Sequence, residues 1–521
     1  MVDTMFEMPL DPAGVPRGRA MIERAEWAAR AFATYDSATV QRIVDAAAQA
    51  GAARAKEFAE WAVRETGYGV AEHKLLKNLA CSTGIAAKYR ASDYIDVVVD
   101  DAGKMVEVPR PAGVVLALTP STNPVATVMF KITLALLTRN AIVISPHPYA
   151  KAVCAEAART MAAAAVAAGA PDGCIQIVEE PSIPLINALM TDPRTDVILA
   201  TGGTPMVRAA YRSGNPAIGV GPGNVPVLVD ATADINATAQ RIVDSKSFDN
   251  SILCTNESVL IVEEAASAAL LNAMTRAGAH VLSDDERDRV RELVFPEGHF
   301  DPKWVGKDAT AIAAAANVRV NARTKILVAP FDLVVPEEPL AHEKLCPVLG
   351  LVRVPNVGRG IDAAQAVLRI TGQGHSAAIH STNPQTIMAF SAAVRVLRVS
   401  VNVGNSLGAS GIETNLAPTM TIGTGFLGRS SVGENLEPKH LINWTRIAYN
   451  ANTSVPMANF SGLTPWHVPD GVVPTYPRAS NDANAAPLVP STVAMSNDAP
   501  DELRDEIRRL IIEELNAIVR G

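Results

Sequence analysis

Apolar positions between residues 21 and 95 recur at three- and four-residue spacing, first at Ile43, Ala47 and Ala50 and then at Ala55, Phe58 and Trp61. That period predicts a mostly helical segment. Two short alternating runs follow, Tyr94-Ile95-Asp96-Val97-Val98-Val99 and Lys104-Met105-Val106-Glu107-Val108, around Asp101-Ala102-Gly103. This is a β-hairpin signal. From 113 to about 245 the pattern predicts strands at 114–118, 141–144, 175–178, 196–200 and 226–229, separated by helices at 124–138, 150–168, 184–191 and 205–213. Unbroken apolar strands alternating with helices imply a parallel sheet covered on both faces. The alternation resumes from about 250 to 420, with strands near 258–262, 326–329, 349–353, 376–379 and 398–402. The chain reads as an α/β protein with two lobes.

After 450 the pattern fades into a stretch rich in Pro, Ala, Ser, Asn and Asp, from about 455 to 500, with too little apolar content to order itself. Residues 501–520 are helical again. Asp501, Glu502, Asp505 and Glu506 favour the helix start, while Leu503, Ile507, Leu510, Ile511 and Ile518 share one face. A helix on a tether predicts a docking element. The plainer reading is a helix that packs on its own enzyme or a sister subunit.

Composition narrows the class. The 521 residues are 48% hydrophobic and 19% charged, ordinary for a large α/β enzyme, and the net charge of −8 offers nucleic acid no attraction. No stretch has the length and freedom from charge of a membrane span, and Met1-Val2-Asp3-Thr4 is not a basic signal region. Five cysteines without paired spacing predict neither a disulfide framework nor a metal site, and favour the cytoplasm.

One cysteine stands apart. Cys254 ends Ser247-Phe248-Asp249-Asn250-Ser251-Ile252-Leu253-Cys254, where a loop gives way to the strand Ser258-Val259-Leu260-Ile261-Val262, at the seam of the two lobes. A nucleophile there faces a cleft while its neighbours anchor the core. Cys81, Cys154, Cys174 and Cys346 read as small buried hydrophobes. For a dinucleotide, the chain offers Thr119-Pro120-Ser121-Thr122-Asn123-Pro124 and Thr201-Gly202-Gly203-Thr204 after buried strands, and Ser145-Pro146-His147-Pro148 beside an adenosine ribose. The usual dinucleotide glycine fingerprint is missing. A thiol that adds to an aldehyde, passes hydride to NAD⁺ and keeps a thioester accounts for this combination, with the Asn123 amide and the Cys254 N–H as oxyanion donors. No nucleophile elbow supports a serine hydrolase.

The segments 119–124, Thr201-Gly202-Gly203, Ile218-Gly219-Val220-Gly221-Pro222-Gly223-Asn224, 247–254, Glu343-Lys344-Leu345-Cys346-Pro347 and Thr421-Ile422-Gly423-Thr424-Gly425 together resemble the CoA-acylating aldehyde dehydrogenases. So do Glu434-Asn435 and Pro438-Lys439-His440-Leu441-Ile442-Asn443. The similarity is to the propionaldehyde dehydrogenases of bacterial microcompartments and to the aldehyde dehydrogenase half of bifunctional alcohol/aldehyde dehydrogenases, over about residues 20–450. It implies an aldehyde dehydrogenase-like fold with an oligomerisation hairpin, and oxidation of propionaldehyde or acetaldehyde with NAD and coenzyme A. Cys254 is then the acyl carrier, Asn123 the oxyanion donor, and Glu343 the holder of the nicotinamide ribose, with Leu345 near the ring. Thr119, Pro120, Ser121, His147, Thr201, Gly202, Gly203 and Gly221 surround the cofactor. Hydrolytic relatives carry a water-activating glutamate where this chain reads Gly219 to Asn224, without a carboxylate. His375 resembles a family histidine near the site that deprotonates or steers the CoA thiol, a structural role remaining open; His440 reads as a cap or packing residue.

The resemblance divides the chain into an N-terminal extension (1–20), an NAD-binding domain (21–245) that includes the hairpin 94–108, and a catalytic domain (246–420). An oligomerisation and core-closing segment (421–450), a flexible linker (451–500) and an amphipathic helix (501–521) follow. That last helix is similar to an encapsulation peptide, which implies microcompartment shell proteins or cargo enzymes as partners. The enzyme itself is expected as a homodimer or dimer of dimers, without nucleic-acid or membrane partners. Two alternatives stay open: the same reaction on a small anionic aldehyde, such as succinate semialdehyde or sulfoacetaldehyde, with Arg429 supplying charge; and a non-catalytic microcompartment scaffold.

Overall fold

Chain order leads from a helical start through two parallel sheets to a late strand that returns to the beginning. The structure, a computed structural model, describes residues 14–469 and 475–476. The tail helix read at 501–521 and most of the extension read at 1–20 lie outside the described residues. The first helix, Val15–Phe32, already buries Ile22, Ala25, Ala28 and Phe32, so the folded body begins before residue 21. Its opening turn, Pro16-Arg17-Gly18-Arg19, carries no apolar period to announce it. Helices Ser37–Ala53, Ala55–Thr66 and Ala71–Leu79 follow. The last of these is inverted. It buries Lys74, Lys77 and Asn78 and leaves Leu76 and Leu79 exposed.

The first sheet has five parallel strands in the order Ile175–Ile177, Ala141–Pro146, Val114–Thr119, Val197–Ala200 and Ala217–Gly219. Every residue of the helix Pro124–Leu137 is buried, as an all-round apolar helix requires. Its one ammonium, Lys131, donates to the carbonyls of Leu118 and Leu199 at 2.8 Å each and so braces the ends of two neighbouring strands.

Seven parallel strands form the second sheet, in the order Ala279–Val281, Ile326–Pro330, Val348–Val354, Glu257–Glu263, Val225–Val229, Ala377–His380 and Val399–Val401. Val225–Val229 therefore corrects the sequence reading, which assigned it to the first sheet. A buried parallel strand carries the same unbroken apolar run in either sheet, so its pattern cannot say which one it joins. Val259 and Ile261 enter one core cluster while Leu260 and Val262 enter another, the period-two division of a sheet covered on both sides.

Val98–Asp100 and Met105–Pro111 pair antiparallel, and Ile442–Ala448 adds to the latter with Trp444 opposite Pro109. The hairpin is shorter than its alternating pattern, because Ser92–Ile95 is helical. Among the described residues no helix is long and apolar enough to cross a membrane, and no cluster of His, Cys, Asp or Glu is arranged for a metal.

Candidate active site

Parallel strands end in loops on one edge, and here four of those loops converge: residues 119–123 after Val114–Thr119, 145–147 at the end of Ala141–Pro146, 201–203 after Val197–Ala200, and 220–223 after Ala217–Gly219. With Cys254, Glu343 and Leu345 from the second lobe they enclose a cavity of about 430 Å³. Thr119, Pro120, Ser121, Asn123, His147, Thr201, Gly202, Gly203 and Gly221 all line it. Ile186, Met206 and Met420 add apolar walls that the motifs did not reveal.

Of the five cysteines only Cys254 keeps part of its surface exposed, at the cavity, while its thiol is enclosed by the surrounding protein. Its approach is unusual backbone: Asp249, Asn250 and Ser251 have φ of 49°, 53° and 62° in succession. Each left-handed non-glycine residue costs about 1 kcal/mol or more, so the surroundings must hold the turn. They do so at Asp249, whose carboxylate accepts from the Val70 N–H at 2.6 Å and from Lys74 at 3.1 Å, and also pairs with Lys77. The Asp249 N–H donates to His73 Nδ1 at 2.8 Å, and Asn250 Nδ2 donates to the Gly306 carbonyl at 3.0 Å. Burial favours the protonated acid at Asp249, yet the two ammoniums outweigh it and hold its pKa below the usual carboxylate range.

Burial, with a smaller push from the Glu343 carboxylate, raises the Cys254 thiol to about 12. Burial raises Glu343 to about 8, with Lys246 and the Gly223 N–H opposing the shift. Both groups hold protons at neutral pH. Gly223 sits between them: a β-carbon there would lie 2.1 Å from the Cys254 carbonyl oxygen and 3.1 Å from Glu343 Oε1. Only glycine fits that approach.

Asn123 ends its loop as the N-cap of Pro124–Leu137. Its Oδ1 accepts from Lys77, while Nδ2 has only a 3.4 Å contact with Thr122 Oγ1. The amide thus keeps a donor available to a neighbouring oxyanion. Cofactor features converge on the other wall. Ser145 Oγ is buried without a partner, Gly202 and Gly203 are exposed ahead of the helix Thr204–Arg212, and His147 Nδ1 accepts from the Tyr149 N–H at 3.2 Å. An unpartnered hydroxyl beside exposed backbone at a helix start fits a ribose–pyrophosphate chain.

His375 is not brought to this cavity. It is fully buried, its Nδ1 meets Ser376 Oγ at 3.0 Å, and its Nε2 has no partner. Burial and the Arg398 guanidinium push it down to about 3, so it stands as a neutral imidazole rather than a base beside the thiol. Its carbonyl accepts from Arg398 at 2.9 Å. Arg429 does not line the Cys254 cavity either, but lines an adjoining cavity with Arg208 and Arg212 that shares Thr204, Val220, Gly221 and Pro222 with this one. The Lys77–Asp249 pair was not read as part of the site. Its signal is an ammonium every three residues, Lys74 and Lys77, which on a surface helix reads as a solvated face.

A model of the aldehyde dehydrogenase family matches residues 13–415. An aldehyde-alcohol dehydrogenase of Clostridium acetobutylicum is 39% identical over 427 residues, covering 81% of this chain and 49% of that protein. The chain thus spans about half the length of that relative. The acetylating succinate-semialdehyde dehydrogenase of Clostridium kluyveri is 36% identical, with 84% of this chain and 97% of that protein covered. Among solved structures, an acetylating aldehyde dehydrogenase from Geobacillus thermoglucosidasius superposes with a TM-score of 0.83 at 36% identity, over 85% of this chain and 98% of that one. A propionaldehyde dehydrogenase from Rhodopseudomonas palustris, solved with bound CoA and an acylated cysteine, gives 0.75 at 29% identity, over 83% and 97%.

Proposed function

Because the chain belongs to the aldehyde dehydrogenase family, we propose that it is a CoA-acylating enzyme that converts a small aldehyde, CoA and NAD⁺ to acyl-CoA, NADH and a proton. The observation that carries this reading is the meeting of Cys254, Asn123 and Glu343 in one cavity whose glycine-rich wall, 219–224, contains no carboxylate to activate water. Ser145, His147, Thr201, Gly202, Gly203 and Glu343 are the residues that would hold the dinucleotide. Once bound, it supplies the hydride acceptor.

Cys254 Sγ bonds to the aldehyde carbon as the thiol proton is released, and Asn123 Nδ2 with the Cys254 N–H holds the resulting oxyanion. Loss of hydride leaves a thioester on Cys254. The CoA thiol then attacks its carbonyl carbon, and Cys254 leaves as thiolate and regains its proton. Without a water-activating carboxylate the thioester waits for CoA.

The residues lining the cavity beside Cys254 include no lysine or arginine, which supports an uncharged aldehyde such as propionaldehyde or acetaldehyde, although the adjoining cavity carries Arg208, Arg212 and Arg429. The likeness to the Clostridium kluyveri enzyme supports a second reading on succinate semialdehyde. Rapid mixing of enzyme, NAD⁺ and each aldehyde without CoA should release at most about one NADH per site and then stall, with turnover resuming on CoA addition. Cys254→Ser should remove the burst yet still bind NAD⁺. Sustained carboxylate formation without CoA would overturn the acylating reading, and a full burst from Cys254→Ser would overturn the nucleophile. A chain inert to every aldehyde, with CoA present, is the scaffold.

A further inference from the structure

We propose that Lys77 is a positioning residue: it fixes the Asn123 amide with Nδ2 toward the cavity and, through Asp249, ties that amide to the backbone turn that carries Cys254. The proposal rests on the reading of Asn123 as the oxyanion donor. An ammonium has three donors and no acceptor, so the atom of Asn123 that meets Lys77 must be Oδ1, and Nδ2 must face the other way. A carboxylate there would impose the opposite choice, drawing Nδ2 to itself, and a hydroxyl or amide, which both donates and accepts, would impose none. The same Nζ pairs with Asp249 Oδ2, on the first residue of the left-handed run that leads to Cys254. One buried cation thus contacts both the oxyanion donor and the support of the nucleophile. All three elements are independent in sequence: helix Ala71–Leu79, the loop at 123 and the turn at 249.

Burial makes the arrangement stiff. The Lys77 and Asp249 side chains are 1% and 0% exposed, so water cannot take over either partner. Lys74 provides a second cation for Asp249 at 3.1 Å and reaches the Thr122 carbonyl at 3.2 Å. Asp249 therefore keeps a partner when Lys77 is removed, which lets Lys77 be tested without leaving that carboxylate uncompensated. Nothing else in the hydrogen bonding of Asn123 orients its amide: the contact with Thr122 Oγ1 is long, and the bonds from Thr127 go to the Asn123 backbone carbonyl.

The test is a double-mutant cycle on the CoA-free NADH burst, using Lys77→Met, Asn123→Ala and the double variant in the full chain, with KM for NAD⁺ measured in parallel. Loss of one oxyanion donor slows such a step about 10²-fold or more. Lys77→Met should approach that loss with KM for NAD⁺ within about twofold of the parent, and the double variant should be no slower than Asn123→Ala within about threefold, because the two act through one amide. Should Lys77→Met fail to fold, Lys77→Gln, whose amide can offer Asn123 either its NH2 or its carbonyl and so no longer fixes which atom of Asn123 faces it, enters the same cycle with the same criterion. A burst unchanged by Asn123→Ala would end the donor reading and this proposal with it. A slow Asn123→Ala beside an unaffected residue-77 variant, or losses that multiply in the double variant, would overturn the positioning role alone.

Discussion

Cys254 rests as a thiol and Glu343 as an acid, and the second of these has a measurable cost. In the unfolded chain Glu343 ionises near 4.5, whereas in the folded protein it holds its proton up to about 8. Folding therefore takes up a proton between those values, and the contribution of this residue to stability falls as pH rises through that window. Glu343→Gln should raise Tm at pH 9 and leave it unchanged at pH 4, while weakening NAD⁺ binding above pH 8, where the carboxylate would accept the ribose hydroxyls. Calorimetry and dinucleotide titration at the two pH values check this; a Tm gain equal at both would mean that the folded protein does not hold the Glu343 proton. The cavity wall facing Glu343 was legible in the chain because residues 119–123, 201–203 and 220–223 stand in short loops directly after apolar strands, where local pattern and position coincide. Lys77 was not. Whether a lysine faces water or an aspartate 172 positions away is decided by packing that no local period encodes.

At the scale of elements, the segment from His375 through the strand Ala377–His380 stores a sensitivity to acid. Burial, aided by Arg398 for the first and Arg241 for the second, lowers His375 to about 3 and His380 to about 4. Below about pH 6.5 the unfolded chain binds protons that the native strand refuses, so stability drains away as pH falls from there toward 4, by about 1.4 kcal/mol per pH unit for each imidazole. Neither ring nitrogen of His380 has a partner, so His380→Leu removes one titration without orphaning a hydrogen bond. That variant should show a shallower fall of Tm between pH 6.5 and 4.5; a slope identical to the parent would assign acid lability elsewhere. Element type was readable along most of this region, since buried strands and helices differ in length. Partnership was not: Val225–Val229 looked continuous with the first sheet because five apolar residues say only that both faces are covered. The helix Ala71–Leu79 misled in the opposite sense, its leucines outside and its lysines inside.

Over the whole molecule, two proposals concern what lies beyond one chain. We propose that the three-stranded sheet of Val98–Asp100, Met105–Pro111 and Ile442–Ala448 serves assembly into a dimer or larger oligomer, since it leaves Val98 and Ile447 exposed beside free strand edges. We also propose that residues 501–521, outside the described residues, direct the enzyme into a protein-shelled compartment of the cytoplasm. Ile507→Glu with Ile511→Glu should leave catalysis unchanged and reduce the enzyme retained in purified compartments as strongly as deletion of 501–521; unchanged retention removes the targeting role. The same three-stranded sheet has a consequence during synthesis. Both parallel sheets are built from consecutive stretches of chain and can close as the polypeptide emerges, but Met105–Pro111 must wait for a partner that begins at Ile442. At ordinary translation speeds that delay is on the order of half a minute. Throughout it one edge of the nascent hairpin is an open ladder, and chains released early, short of Ile442, are the ones most prone to pair with each other.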